Sequence, residues 1–265
     1  MDTQKKCAEL KRRIAERGSM LISYSGGVDS GLLAALAKEV LGERSHCVLL
    51  DSPAVPRPEV RDAERHAREL GLSFEIVPAP VMENPLFRSN TPDRCYLCKK
   101  IMAGVLNEKA RELGLACIAD GLNRSDTGER RPGLQAAAEE GIVHPFIEAG
   151  ISKDEIREIA RHRGHGFWDK LPAACTCTRI PYGEEITTEK LRMIEAAEDY
   201  LHARGFATVR VRLQGRTARI EVEKADIPAI TAMGEEIAKE FRKLGFSYVS
   251  LDLEGYRSGS MDEVL

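Results

Sequence analysis

The chain has 265 residues and a formal net charge of -3, room for one large or two modest domains. This balance argues against a protein that coats nucleic acid by bulk charge, while leaving room for a local basic groove. No apolar run reaches the roughly 18 residues of a membrane span. The polar stretch Met1 to Lys11 has no signal-peptide character, so the expected compartment is the cytoplasm. Disulfides are rare there, and closely spaced cysteines read as metal or redox groups.

Cys7 to Arg17 reads as a short amphipathic helix and Met20 to Tyr24 as a buried strand. Ser25-Gly26-Gly27-Val28-Asp29-Ser30 then leads into a helical run, Gly31 to Val40. A glycine-rich turn between a strand and a helix start gathers backbone N–H groups at the positive end of the helix dipole, which suits a phosphate. Gly26 and Gly27 allow close approach, Ser25 and Ser30 add hydroxyls, and Asp29 can hold or orient a metal ion. The lysine that ends a kinase or GTPase P-loop is missing, so the cradle suits release of pyrophosphate better than transfer of a γ-phosphoryl group. The string resembles the SGGxDS signature of the PP-loop ATP pyrophosphatases. That resemblance implies adenylation of a carboxyl or carbonyl oxygen, release of pyrophosphate, and displacement of AMP by nitrogen or sulfur.

Cys47 to Asp51 reads as a second strand. Its end falls where ligands sit in a parallel sheet, so Asp51 and Ser52 either meet the adenine or ribose or form an ordinary turn. A helix from Pro58 to about Leu70 and a strand from Ser73 to Val77 continue the alternation of a doubly wound α/β sheet. Met82 to Pro92 is irregular. Asp93 to Lys100 opens a helix running to about Leu113 and carries Cys95 and Cys98 on one face near its positive end, a position that favours thiolates and metal binding. Two idle cysteines are the plain alternative.

Leu115 to Asp120 reads as a fourth strand, followed by the polar loop Gly121 to Asp126 at the ligand edge. Arg130 and Arg131 either hold an anion or lie in a solvated loop. Gly141 to Phe146 reads as a last strand or extended piece. Ser152 to Glu155 has the form of a capping box before a helix to about Arg163, and His162 and His165 read either as metal ligands or bases or, more simply, as exposed helix-end residues. Trp168 to Gly183 is too rich in proline and small residues for a regular element, and it carries Cys175 and Cys177. Such a segment can cover a site mouth and present a cysteine there, while a Cys-x-Cys in a loop taken alone is more often incidental than catalytic.

From Thr187 the texture is that of a small α+β domain. The expected elements are a helix from Glu189 to Ala203, strands from Thr208 to Leu213 and Ala218 to Glu223 around Gln214-Gly215, a helix from about Ala225 to Leu244, and a strand from Phe246 to Leu253. Arg210 and Arg212 share one face of the first of these strands, where they either clamp a phosphate or face water. Glu221 and Glu223 share a face of the next strand and either bind a metal ion or pair with those arginines. The expected organisation is an ATP-binding domain over 1–170, a cysteine-bearing loop over 171–186, and a substrate-binding and oligomerisation domain over 187–265.

Further blocks carry a more specific resemblance: Arg94-Cys95-Tyr96 with Cys98-Lys99, Gly121-x-Asn123-x-x-Asp126, Trp168-Asp169-Lys170, Cys175 with Arg179 to Gly183, and Leu251 to Gly259. With the glycine-rich loop, they make the chain similar to the LarE family of ATP-dependent sulfur transferases. The resemblance implies ATP and Mg²⁺, with Ser25, Gly26, Gly27, Asp29, Ser30, Asp51, Ser52, Gly121, Asn123 and Asp126 around the nucleotide. It implies adenylation of a pyridinium dicarboxylate mononucleotide and its conversion to a thiocarboxylate, for the nickel-pincer nucleotide cofactor. Arg179, Arg210 and Arg212 would hold the substrate phosphate. One type in the family sacrifices the sulfur of its own cysteine, the position of Cys175. Another holds a 4Fe–4S cluster on three cysteines, here Cys95, Cys98 and Cys175. Because all three are present, the cluster type is the expectation, and Cys177 has no counterpart. The resemblance also implies a homo-oligomer. A tRNA thiolase of the same superfamily is the rival reading.

Overall fold

The computed structural model describes residues 3–128, 132–172 and 174–257. In chain order its helices and strands are α1 (Thr3–Glu16), β1 (Met20–Ser23), α2 (Val28–Leu41), β2 (Ser45–Asp51), α3 (Arg57–Glu69), β3 (Phe74–Pro78), α4 (Pro85–Arg88), α5 (Arg94–Glu112) and β4 (Ile118–Ala119). They continue with α6 (Pro132–Glu139), α7 (Pro145–Glu148), α8 (Lys153–His162), α9 (Thr188–His202), β5 (Val209–Gln214), β6 (Thr217–Val222), α10 (Ile227–Ala232), α11 (Gly234–Leu244) and β7 (Tyr248–Leu251). These elements fall into two compact units, one of residues 1–81 and 95–173, the other of 82–94 and 174–265.

The first unit is α/β. Its sheet has the order β3-β2-β1-β4, with every pairing parallel. Parallel strands need helical crossovers, which cover both faces and make the strands apolar throughout. Met20 and Ile22 of β1 accordingly pack with Leu10, Ile14, Leu32, Leu36, Ile156, Phe146 and Phe167 in one core cluster. Leu21, Val48, Leu50 and Ile118 are buried too, outside that cluster. Each fully buried Leu or Ile contributes about 1.5–3 kcal/mol, and this core fixes the β1–α2 corner.

Two expected elements shrink. The fourth strand pairs only at Ile118 and Ala119. The piece expected over Gly141 to Phe146 makes a single parallel bridge between Ala119 and Val143. Pro145, which has no N–H to offer a ladder, then starts α7. Arg130 and Arg131 lie outside the described residues.

The second unit is α+β. Strands β5 and β6 form an antiparallel hairpin in which Val209 faces Val222 and Arg212 faces Arg219, and β7 adds parallel to β6. Gly215, at φ +59°, makes the tight turn. Leu191, Ile194, Ala197 and Leu201 give α9 a buried stripe, and Val211, Leu213, Ile220 and Val222 line the strands' buried side. The single helix expected from Ala225 to Leu244 is broken into α10 and α11 at Met233–Gly234. Pro228 sits in the first turn of α10, and Gly234, a weak helix former, begins α11.

The stretch 82–92, read from sequence as an irregular part of the first domain, belongs with Asp93 and Arg94 to this second unit. Asn84 caps α4 by accepting from the amides of Leu86 and Phe87. The fully buried Asn90 adopts φ +56°, donates to the carbonyls of Ile180 (3.2 Å) and Pro181 (2.7 Å), and accepts from the Gly183 amide (3.0 Å). These bonds tie the segment to the loop that follows Cys177.

Candidate functional site

The glycine-rich loop lies between β1 and α2. Gly26 has φ +70°, and a Cβ there would stand 2.5 Å from the Cβ of Ala63, so only glycine fits. Gly27 caps α2 with no side-chain acceptor, which leaves the first amides of the helix available to an anion. The Ser30 hydroxyl closes the loop, accepting from the Ser25 amide (3.1 Å) and lying 3.0 Å from the Ser25 hydroxyl.

Asp29 is the second residue of α2, and its two carboxylate oxygens have separate partners. Lys153 of α8 donates to one, and the Asn123 side chain donates to the other at 3.5 Å. Gly121 packs so closely that a Cβ would lie 2.8 Å from the Ser30 nitrogen and 2.9 Å from the Asp29 Cβ. Asn123 and Asp126 shape this neighbouring loop. Asp126 accepts from the Asn123 amide (3.0 Å), and Asn123 accepts from the Ser125 amide (2.9 Å).

The structure thus brings together Ser25, Gly26, Gly27, Asp29, Ser30, Gly121, Asn123 and Asp126. Asp51 is engaged by Arg57, at 2.9 and 2.5 Å, and the buried Ser52 accepts from the Ala54 amide at 3.3 Å. Sequence reading missed Lys153, which stood there only as a residue inside a capping box. It also missed the pair His144–Asp120 (2.7 Å) beside Gly121, in which the hydrogen bond to the carboxylate raises the His144 pKa.

In the second unit the Cys175 loop meets an arginine cluster. Cys175 is exposed, while Cys177 is buried. A hydrogen bond from Cys177, reinforced by the charges of Arg94 and Arg179, lowers the Cys175 thiol to about 6. This environment favours the thiolate. Arg94 is buried, donates to Asn90 and to the Cys177 carbonyl (3.4 Å), and lies 5.1 Å from the centre of the Tyr182 ring.

Arg179 is buried against Glu198 in a two-pronged pair (2.9 and 3.0 Å), and it donates to the carbonyls of Ala174 and Cys175 at 3.0 Å. Arg212 pairs with Glu221 (2.7 Å) and donates to the Thr178 carbonyl (2.9 Å). Glu221, which the sequence left between metal binding and arginine pairing, pairs with Arg212 and Arg219. Arg210 donates to the Val209 carbonyl (2.6 Å) and lies 5.3 Å from the Tyr256 ring centre, with no carboxylate at ion-pair distance among the described residues. Burial and the neighbouring Arg179 and Arg212 charges lower its pKa. Glu198, in the buried stripe of α9, was the one signal the sequence offered and reading it missed. A glutamate between Ala197 and Leu201 on an apolar face needs a buried cation.

Cys95 is exposed in the first turn of α5, and Cys98, one turn on, lies 3.8 Å from the Met102 sulfur. Among the described residues, no group of three or more His, Cys, Asp or Glu side chains is arranged to hold a metal ion. The expected cluster set of Cys95, Cys98 and Cys175 finds no support there. Cys47 is a core thiol, pushed up to about 12 by burial, and Cys117 is raised by the same cause. His162 is exposed as expected, whereas His165 stacks on Phe167 at 5.1 Å. No described helix is long and apolar enough to cross a membrane.

A parallel sheet whose first strand runs through a glycine-rich anion cradle into a helix defines the PP-loop class. In keeping with this, the NAD synthase family model matches residues 3–123. An uncharacterized protein of Synechocystis sp. is 40% identical over 265 residues, covering 99% of this chain and 98% of that one. The pyridinium-3,5-bisthiocarboxylic acid mononucleotide synthase of Lactiplantibacillus plantarum is 34% identical over 261 residues, 98% of this chain and 95% of the synthase. An uncharacterized protein of Methanocaldococcus jannaschii is 33% identical over 257 residues, 96% of this chain and 98% of that protein. The chain belongs to the LarE family, that of the mononucleotide synthase.

Proposed function

We propose that this protein is an ATP-dependent sulfur transferase that converts a carboxylate of a pyridinium dicarboxylate mononucleotide into a thiocarboxylate, for the nickel-pincer nucleotide cofactor. The observation that carries the reading is the exposed Cys175, its thiol lowered to about 6 beside an arginine cluster, in a chain alignable with the synthase over nearly its full length.

In the first step a substrate carboxylate oxygen attacks the α-phosphorus of ATP. An acyl adenylate forms and pyrophosphate leaves, its charge met by the amides of the glycine-rich loop. Asp29 would hold Mg²⁺, which offsets further charge. In the second step the Cys175 thiolate attacks the acyl carbon, forming a thioester and releasing AMP with the bonding pair. Loss of the Cys175 Cα proton then breaks the Cβ–S bond. Sulfur stays on the substrate as the thiocarboxylate, and the residue becomes dehydroalanine. Two carboxylates would consume two such cysteines.

Arg210 would offer its charge to the substrate phosphate. Arg179 and Arg212, already paired with Glu198 and Glu221, would contribute to the same positive field. A second reading keeps Cys175 as a ligand of a 4Fe–4S cluster. The exposed Cys95 with Cys98 one turn on favours it, but no step above is routed through a cluster.

The test is incubation with the mononucleotide, ATP and Mg²⁺, following pyrophosphate, AMP and the mass of the protein. Pyrophosphate release with loss of one H₂S from the chain supports sacrifice of Cys175. Thiocarboxylate formed on protein of unchanged mass, with about four irons per chain, supports the cluster. Absence of pyrophosphate release, with tRNA retained on a filter, would favour the tRNA thiolase. The reading also carries a cytoplasmic homo-oligomer. Tyr248 (73% exposed) and Leu253 (80%) give the second unit exposed apolar groups, and light scattering measures the assembly.

A further inference from the structure

We infer that His66 is a positioning residue of the nucleotide loop: from α3 it holds the Gly26 carbonyl and so turns the Gly27 amide toward the bound phosphates. The inference rests on the ATP reading above and adds to it a residue that acts only through the backbone. The peptide between Gly26 and Gly27 is flanked by two residues without a Cβ, so sterics alone fix its orientation poorly. A cradle made of amides needs that orientation held.

Helix α3 backs the loop closely. Ala63 stands where a Gly26 Cβ would fall, and its carbonyl accepts the Tyr24 hydroxyl at 3.4 Å. Three residues on, His66 is buried (6% exposed), and its Nδ1 lies 3.4 Å from the Gly26 carbonyl oxygen. A carbonyl only accepts, so Nδ1 carries the hydrogen of this bond. The peptide is planar and trans, which sets its C=O and N–H in opposite directions. Drawing the oxygen toward α3 therefore points the Gly27 amide away from α3. Among the described residues no acceptor takes that amide, which leaves it for an anion at the start of α2.

The imidazole is itself fixed in place. Phe167 packs against it, with 5.4 Å between ring centres and a tilt of 50°, and His165 stacks on Phe167 at 5.1 Å. Phe167 also lies against Gly31 of α2, where a Cβ would stand 3.0 Å from the ring. One aromatic side chain thus touches both the helix that begins at the loop and the histidine that holds the loop. On α3 His66 shares the buried side with Val60, Ala63 and Ala67. A polar ring placed there is costly unless its nitrogen finds a partner. Leucine would serve for packing alone; what the imidazole adds is the bond to Gly26.

The experiment is calorimetric titration of the full chain with inorganic pyrophosphate, ATP and adenosine in the presence of Mg²⁺, for wild type, H66L and H66N, with the thermal midpoint of each. Asparagine carries an amide nitrogen near the place of Nδ1 and leucine carries none. Both remove the ring from the stack, so the difference between them reports the hydrogen bond. In H66L, affinity for pyrophosphate and ATP should fall about three- to tenfold. H66N should regain most of the loss, and adenosine should bind all three proteins alike. Should H66L not fold, H66M is measured in its place. Equal pyrophosphate affinity in wild type and H66L overturns the inference. An H66N as weak as H66L overturns it too, since ring packing and not the bond would then carry the effect. A loss for adenosine as large as that for pyrophosphate reports a damaged site and also counts against it. A wild-type protein that binds neither ATP nor pyrophosphate would bring down the ATP reading itself, and this inference with it.

Discussion

The nucleotide loop and the Cys175 loop are built on opposite principles. From Ser25 to Ser30 six consecutive residues make a site out of backbone, and the side chains matter mainly for what they leave out, as at Gly26 beside Ala63. Around Cys175 side chains far apart in sequence grip the backbone of the loop and gather charge beside it: Asn90 and Arg94 from one segment, Cys177 and Arg179 from another, Glu198 from α9 and Arg210 from β5. An anion needs many weak donors converging on a point, which a helix start supplies locally. A thiolate needs opposite charge and a donor held in a sheltered place, which only folding can assemble.

The sharpest way to break this comparison is Cys175→Ala. It should abolish thiocarboxylate formation while leaving the adenylating half intact, measured as hydroxamate trapped from the acyl adenylate. An active variant would remove the second site from the reaction. Next in size is Glu198→Ala, which strands the buried Arg179 and should cost about 3–5 kcal/mol. Urea unfolding measures the loss, and a cost below about 1 kcal/mol would mean the pair behaves as a surface bridge.

Gly26→Ala should cost about 1–3 kcal/mol through the left-handed backbone alone, with added strain against Ala63 and loss of ATP binding. Unchanged ATP affinity would show that the loop is not built from close backbone approach. The smallest effect concerns acidity. Because the folded thiol is lowered to about 6, alkylation of Cys175 should be near its plateau at pH 7 and fall off below about 6. Cys177→Ala removes the leading cause, so the midpoint should rise toward the ordinary thiol value. A pH profile that does not move would assign the acidity to the Cys177 backbone, which the variant keeps, and to Arg94 and Arg179.

Legibility followed the same division. The loop motif, the capping box at Ser152 and the parallel strands β1 to β3 were readable because each depends on contiguous residues and a short period. Of the two readings of 141–146, strand or extended piece, the structure takes the second, with one bridge at Val143, because Pro145 starts a helix there. In the C-terminal helix the sequence marked Pro228 and Gly234 as weak points, and only the structure decided that the break falls at Met233–Gly234, because glycine weakens a helix without forbidding it. The irregular stretch 82–92 was read as part of the first domain, since nothing local says that Asn90 will hold the carbonyls of Ile180 and Pro181. Arg179, Arg210 and Arg212 read alike in the sequence. Burial separated them, giving two of them carboxylates and leaving Arg210 beside Tyr256.

By itself the sequence determined the α/β class, the anion cradle and the family, because glycine spacing and strand–helix alternation act through neighbours along the chain. The tertiary structure alone decided that Lys153 faces Asp29, that segment 82–94 joins the second unit, and that Cys177 and two buried arginines set the state of Cys175. Charge–charge and donor–acceptor contacts act through space in a low dielectric, and distance in space is what a sequence does not state.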